Sequence, residues 1–324
     1  MNGRITVILP CRNEEHYISR VLDFFIHARP ENKELIIADG DSTDRTREII
    51  AEYSAKHPEI TMLSNPDRFV PFALNKCIRK ATGEYIVRLD AHTEYAPDYF
   101  TSVVETFEKT GAEIVGGPMR AKGKTPFQRA VAVCTSTIFG VGDSSFHDET
   151  AEGYSDSVYL GAWRKKIFET TGLFDEAMLR NQDDEFHYRA KSKGMKIYLN
   201  PAIKSWYYPR GTIRSLMKQY FQYGLFKPLV LKKVRSEVKL RHLVPSAFVL
   251  YLIMIPVLYL LVGWIAFVPA IFYVMIDFGF SFSKLRGLRE KMNALVIYPM
   301  LHVSYGCGFL LGLSNSLRRF FFKG

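Results

Sequence analysis

Asp90-Ala91-His92 sets a carboxylate and an imidazole two residues apart, at the end of the run Tyr85-Ile86-Val87-Arg88-Leu89. That run is apolar and β-branched with one long basic side chain, the composition of a short buried strand. In an open α/β sheet, side chains at the carboxyl edge of a strand face the crevice where ligands bind. An i, i+2 pair leaving such an edge can aim both groups at one cation, and carboxylate plus imidazole suits Mn²⁺ or Mg²⁺ held with substrate phosphates. The same string equally suits an Asp that caps the next turn beside an exposed His. Two other polar strings matter. Asp39-Gly40-Asp41-Ser42-Thr43-Asp44 follows an apolar run, and Asp39 sits where a carboxylate can accept hydrogen bonds from a base or ribose; an ordinary Asx turn feeding a helix is the alternative. Asp183-Asp184-Glu185 opens a helix, and three consecutive carboxylates exceed what the helix dipole explains.

The elements that must position these groups alternate. Ile5 to Pro10 reads as a buried first strand ending in Cys11-Arg12-Asn13-Glu14-Glu15, followed by an amphipathic helix to about Ala28. Glu34 to Ala38 is a second strand, after which Ser42 or Thr43 can cap a helix to about Lys56. Ile60 to Leu63 is a third strand, and a helix from about Pro71 to Ala81 leads to Gly83, which can close it before the Asp90 strand. This alternation predicts an α/β domain with a mostly parallel, doubly wound, Rossmann-like sheet. Neither G-x-G-x-x-G nor the P-loop string is present, which disfavours the common dinucleotide and NTPase sites. Residues 122–150, rich in Gly, Ser and Thr with Phe127, Phe139 and Phe146, suit a mobile loop or broken helix over the site. Ser157 to Trp163 looks like a strand bringing an aromatic to the pocket, although a Trp there serves a core as readily as a stacking platform.

The net charge of +10 is unevenly spread: 28 Lys and Arg face 30 Asp and Glu up to residue 210, and 15 face 3 beyond it. The basic third also holds the apolar runs. Asp277 is the only formal charge between His242 and Ser283, and Met292 to Leu317 carries none. These lengths suit two or three membrane spans, the first two turning near Gly263-Trp264. Pro299, Gly306, Gly308 and Gly312 permit a bent or re-entrant last segment. Lys232, Lys233, Arg235, Lys239 and Arg241 read as anchors facing anionic membrane lipids, with no nucleic acid as partner. The expected division is a catalytic domain over 1–210, a basic aromatic interfacial region over 211–242, and membrane segments over 243–317. Four scattered cysteines, without metal-site spacing, imply a reducing compartment. No secretory signal is visible, which places the soluble part in the cytosol and the chain at the inner membrane.

Five strings in this order, Leu9-Pro10-Cys11-Arg12-Asn13-Glu14-Glu15, Ile37 to Asp44, Ala81-Thr82-Gly83-Glu84-Tyr85, Asp90-Ala91-His92 and Gln182 to Phe186, resemble family 2 glycosyltransferases of the GT-A fold. The resemblance covers about residues 4 to 225 and extends to membrane-associated enzymes of bacterial exopolysaccharide synthesis, the succinoglycan type included. It implies Pro10, Arg12, Glu14 and Asp39 as contacts to a nucleotide-sugar donor, Asp90 and His92 as the holders of Mn²⁺ or Mg²⁺ on its diphosphate, and Asp183 as general base. Gln219 to Gly224 resembles the Q-x-x-x-Y-G segment that precedes the membrane region. Two departures stand out: His92 replaces the second Asp of the metal motif, and Gln182 replaces the first acid of the family's acidic pair. The implied reaction is an inverting, metal-dependent transfer of sugar, from a uridine diphosphate donor, to a hydroxyl of a glycan or lipid-linked acceptor. The helix N-terminus beside Asp183 is expected to favour its ionised form.

Two other readings fit part of the chain. A nucleotidyltransferase would also use a metal on an α/β sheet, but has less need of a base on the far face of a sugar. A transport subunit would leave two thirds of the chain without a role, and a single Asp277 makes a poor path.

Overall fold

The computed structural model describes residues 3–143, 145–235 and 238–321. The chain forms two compact units, Met1–Arg120 with Asp148–Tyr207, and Ala121–His147 with Tyr208–Gly324. Residues 121–147 therefore group with the C-terminal unit, although they lie inside the span expected to be one catalytic domain.

In the first unit, β1 (Ile5–Cys11), α1 (Ile18–His27), β2 (Lys33–Asp39), α2 (Thr46–Lys56), β3 (Ile60–Ser64), α3 (Val70–Lys80) and β4 (Tyr85–Arg88) alternate as the sequence predicts. Next come β5 (Glu94–Tyr95), α4 (Tyr99–Thr110), β6 (Ile114–Gly117) and β7 (Arg120–Ala121). The chain then makes α5 (Pro126–Cys134) and α6 (Ile138–Val141) of the second unit. It returns through β8 (Gly153–Tyr154), β9 (Tyr159–Arg164), α7 (Ile167–Thr171), α8 (Gln182–Ser192), β10 (Ile197–Leu199) and β11 (Ser205–Tyr207). Eight strands join in the order β3-β2-β1-β4-β9-β6-β10-β8. The first four in that order are mutually parallel, but β9 runs antiparallel to both of its neighbours, β4 and β6. No crossover helix directly precedes β9, and the parallel direction that such a helix imposes is absent there.

The core follows from the apolar patterning. α1 buries Ile18, Val21, Leu22 and Phe25, a stripe at helical spacing, against Val7, Leu9, Val87 and Phe100 of the same cluster. Trp163 is fully buried and meets Phe174 and Phe186 edge-on. It belongs to the core and is no platform. Gly83, expected to end α3, instead serves a close approach of two backbones. A β-carbon there would lie 2.6 Å from both the Arg4 carbonyl oxygen and the Thr6 nitrogen. Only glycine lets this turn pass so close to β1. The same corner is locked by Glu34, whose Oε1 accepts from Thr6 Oγ1 at 2.5 Å, Thr82 N at 2.8 Å and Thr82 Oγ1 at 2.7 Å. One of the five diagnostic strings is thus purely structural.

The second unit adds α9 (Ile213–Lys233), α10 (Leu240–Val262), a 3₁₀ turn over Gly263–Phe267, α11 (Val268–Lys284) and α12 (Leu288–Phe321). Two stretches, Leu240–Lys284 and Leu288–Ser314, are long and apolar enough to cross a membrane. Several of their polar groups are paired: the Tyr273 hydroxyl meets His302 Nδ1 at 2.7 Å, Tyr298 meets Thr137 at 3.1 Å, and Ser281 donates to Asp277 at 3.0 Å. Residues 122–150, expected as a loop or broken helix over the site, supply α5 and α6. Ala130, Val131 and Cys134 of α5 pack with Ile297, Tyr298 and Leu301 of α12.

The glycines of α12 do not break it; it is one continuous helix. They allow backbone contact instead. β-carbons at Gly308 and Gly312 would lie 2.1 and 2.2 Å from the carbonyl oxygens of Phe221 and Leu225 on α9, and one at Gly224 would lie 2.1 Å from that of Tyr305. Small residues that let helix backbones touch are the usual adhesive where no hydrophobic effect drives association. Gly308→Leu is therefore expected to separate α9 from α12, and limited proteolysis of the detergent-solubilised protein should show faster cleavage within α9.

Candidate active site

The carboxyl ends of β1, β2 and β4 lie side by side, because Cys11 pairs with Asp39 and Ile8 with Arg88 in the parallel register. Their loops are then stitched together. Gly40 N donates to the Cys11 carbonyl at 2.8 Å, Asn13 N to Ser42 Oγ at 2.9 Å, Thr43 N to Asn13 Oδ1 at 2.8 Å and Glu14 N to Thr46 Oγ1 at 2.8 Å. Asn13 adopts φ 55°, a conformation that Asn tolerates better than most residues. Neither Ser42 nor Thr43 caps α2. Ser42 Oγ is used by Asp39, and the first amides of the helix go to Glu15 and Asp44 instead, from Arg45 N at 3.0 Å and Thr46 N at 3.0 Å.

These latches separate the string Cys11 to Glu15 into structural and available groups. Asn13 and Glu15 hold the loops, whereas Arg12 is exposed and Pro10 and Glu14 are half-buried. Asp39 is only 2% exposed. Its carboxylate accepts from Ser42 Oγ and Ser42 N and faces Arg47 Nε at 3.5 Å. It is a fixed acceptor, not a mobile one.

The β4 end carries the densest chemistry. Glu14 Oε1 stands 3.2 Å from His92 Nδ1, so the first and fourth strand ends meet there. Arg88 Nε donates to Asp90 Oδ1 at 2.9 Å and its Nη2 to Oδ2 at 3.2 Å, a two-pronged clasp. Asp90 N donates to the Tyr95 hydroxyl at 2.7 Å, and that hydroxyl donates to the Asp90 carbonyl at 3.2 Å. The turn from Asp90 to Tyr95 is thereby closed, and Asp90 is no mere cap for it.

Asp183 is half-buried at the start of α8, and its Oδ1 accepts from Asp184 N at 3.0 Å. Burial and the neighbouring Asp184 carboxylate push its pKa above the usual carboxylate value, while Arg88 pulls it back. The expected preference for the ionised form is thus outweighed by desolvation, which acts on the whole side chain, whereas the helix terminus contributes only partial charges. Arg88 feels the same pair from the other side: burial works against its charge, and Asp90 and then Asp183 more than restore it. The structure so brings Glu14 and His92 into contact and clasps Asp90 to Arg88, whose charge also acts on Asp183, with Asp39, Pro10 and Arg12 on the adjoining β1 and β2 ends.

Glu185, the third carboxylate, belongs elsewhere. It is 2% exposed and doubly bonded to Arg189 at 2.8 and 2.9 Å, and Arg189 in turn donates to the Leu173 carbonyl at 3.0 Å. Removing one member of such a pair leaves an uncompensated charge. Glu185→Ala is expected to cost about 3 kcal/mol of stability, visible as a lower thermal unfolding midpoint, with the loops that follow β1, β2 and β4 unaffected.

Three residues of this site escape the motif reading. Arg88 is visible in the sequence as one basic side chain in an apolar strand, on the same face as Asp90 by the period of two. Tyr95 has no such signal. Tyr159 is brought by β9, where Leu160 and Gly161 both take positive φ, 59° and 81°. Its hydroxyl stands 3.4 Å from Thr93 Oγ1 and its ring meets Tyr207 edge-on. It is the aromatic that β9 delivers, in place of Trp163.

Among the described residues, no group of three His, Cys, Asp or Glu side chains is gathered for a metal ion. Asp90 and His92 offer two ligands of the right kind, with the His92 ring oriented by Glu14. That donor set fits a hard cation of the Mn²⁺ or Mg²⁺ type, which takes few protein ligands and completes its shell with phosphate oxygens and water.

The fold is that of a GT-A domain. The family model for glycosyl transferase family 2 matches residues 6–168, and the chain belongs to that family: it is a glycosyltransferase. It is 30% identical over 318 residues to the succinoglycan biosynthesis protein ExoA of Rhizobium meliloti, covering 97% of this chain and 96% of that protein. It is 32% identical over 323 residues to a dolichyl N-acetyl-alpha-D-glucosaminyl phosphate 3-beta-D-2,3-diacetamido-2,3-dideoxy-beta-D-glucuronosyltransferase of Methanococcus voltae, covering 95% and 97%. Among solved structures, the mannosyltransferase PcManGT of Pyrobaculum calidifontis, in complex with GDP-Man and Mn²⁺, superposes with a TM-score of 0.63 at 17% identity, covering 100% of this chain and 89% of that one. Residues 1–349 of S. aureus TarS, in complex with UDP-GlcNAc, give 0.52 at 14% identity, covering 93% and 91%.

Proposed function

We propose that this glycosyltransferase is inverting and dependent on a divalent cation, and transfers a sugar from a uridine diphosphate donor to a hydroxyl of a lipid-linked glycan. The observation that carries the reading is the two-pronged clasp of Asp90, half of the cation-type pair Asp90 and His92, by a buried guanidinium whose charge also acts on a carboxylate from a separate segment, Asp183. A sugar can lie between groups that come from separate segments. Bound there, a cation supplies charge neutralisation to the departing diphosphate. Asp90 and His92 hold it, Glu14 fixes the imidazole, and Arg12, Pro10 and Asp39 line the donor side. Asp183 takes the proton from the acceptor hydroxyl as that oxygen attacks the anomeric carbon opposite the leaving group. One displacement inverts the configuration.

Two comparisons support the substrate classes. A relative of nearly the same length is named for transfer to a dolichyl phosphate-linked sugar, and a fold neighbour holds a nucleotide sugar with Mn²⁺. The α10–α11 hairpin exposes Leu260, Leu261, Trp264 and Ile265, an apolar surface that suits lipid. We place residues 211–242 at the membrane interface and 243–317 in the inner membrane, with the catalytic domain in the cytosol. Purified protein in detergent should release labelled sugar from one nucleotide-sugar of a panel onto a lipid-linked acceptor, with the product read by mass spectrometry and its anomeric configuration by NMR. Retention of configuration, or turnover that attacks phosphorus and releases a sugar 1-phosphate from the nucleotide-sugar, would overturn the reading.

A further inference from the structure

Arg88 is the one charged side chain in β4, whose four residues are all buried. Its own side chain is 9% exposed. A buried guanidinium is costly unless its donors are satisfied, and two of them end on the two oxygens of Asp90, at 2.9 and 3.2 Å. The clasp is planar and two-pronged, a geometry that a lysine cannot reproduce. Asp90 follows the end of β4 by two residues and is held there by Tyr95, whose hydroxyl bonds both its N–H and its carbonyl, so the backbone under the clasp is fixed. Asp90 alone, on a strand end, has free rotation about its side-chain bonds; clasped, it has one orientation.

We infer that Arg88 is a positioning residue: it fixes the Asp90 carboxylate in the one orientation that receives a cation–diphosphate. The inference rests on the metal-dependent reading above. A fixed carboxylate loses less freedom when the cation–diphosphate arrives, and supporting partners of this kind are worth about 10–100-fold in metal affinity. With the edge between its two oxygens already engaged, Asp90 offers the cation an outer lone pair on one oxygen or the other rather than a chelating edge. Arg88 is therefore distinguished from a direct nucleotide ligand by one property: its effect on nucleotide binding should vanish when the metal is removed.

The experiment measures UDP binding to the full-length protein in detergent by calorimetry, with Mn²⁺ and with EDTA, for the wild type, Arg88→Lys and Arg88→Met. Arg88→Lys keeps the charge and loses the fork, and so decides the matter if Arg88→Met does not fold. Arg88→Lys should melt within a few degrees of the wild type. Its UDP affinity should fall about 10-fold or more in Mn²⁺ and be unchanged in EDTA, and the Mn²⁺ concentration giving half-maximal transfer should rise by a similar factor. Wild-type binding and Mn²⁺ dependence in Arg88→Lys would overturn the inference, as would an equal loss with and without metal, or a lysine variant that does not fold. If the wild type itself binds UDP no better in Mn²⁺ than in EDTA, the metal-dependent reading and the inference fall together. Failure confined to the variants leaves the reading intact.

Discussion

Asp183→Asn is expected to transfer sugar at least about 100-fold more slowly than the wild type while binding the nucleotide-sugar nearly normally. The substitution is nearly isosteric and keeps an oxygen for the Asp184 amide, which is 3.0 Å from Asp183 Oδ1. What it removes is the capacity to take a proton. The donor-side groups come from β1, β2 and β4, whereas Asp183 comes from α8, so the loss should fall on kcat and hardly on donor affinity. The pH profile gives a second check. Burial and Asp184 raise the Asp183 pKa, and a protonated base is inactive, so activity should be lost on acidification at a pH above that of an ordinary aspartate, about 3.9. That acidic limb should be absent from the residual activity of Asp183→Asn. Asp184→Asn should be milder, because Asp184 acts through its charge on Asp183. If Asp184→Asn is the dead variant and Asp183→Asn is not, the base is Asp184.

The second large effect concerns the cation. Chelation by EDTA should abolish transfer and Mn²⁺ or Mg²⁺ restore it, and Asp90→Ala should be inactive even at saturating metal. The alanine variant loses a ligand and also leaves the Arg88 guanidinium buried without its partner, so a thermal melt must accompany the assay. His92→Asp is the cleaner probe. It restores the two-carboxylate form of the motif, should keep activity, and should change the relative rates with Mn²⁺ and Mg²⁺, since imidazole favours the softer ion. Full activity in excess EDTA would sink the assignment of Asp90 and His92.

Much of this was legible in the chain because it depends on local chemistry. The apolar runs of 5–10, 34–38 and 85–89 are β1, β2 and β4, and polar strings at their ends fall at the carboxyl edge of the sheet. Helical periodicity located α1 for the same reason, and the carboxylates at its start located α8. The groups that were misjudged are those whose partner lies far along the chain. Ser42 looked like a helix cap but is spent on Asp39, and Gly83 looked like a helix stop but answers the backbone of β1. Trp163 went to the core, and Tyr159 reached the site on a strand whose antiparallel direction no local pattern announces.

The division is physical. Sequence alone determined the family, the alternation of strands and helices from β1 to β4, and the apolar C-terminal stretches, since each rests on side-chain type and on periods of two or 3.6. Tertiary structure alone decided that the last of three adjacent carboxylates is spent. Glu185 is spent on Arg189, four residues on, which also holds the chain at Leu173, whereas Asp183 answers to Arg88, almost a hundred residues away. It also decided that the glycines of α12 join helices rather than bend one, because only the approach of α9 gives a missing β-carbon its meaning. Pairings of this kind are fixed by burial and charge in three dimensions, and a one-dimensional pattern carries no trace of them.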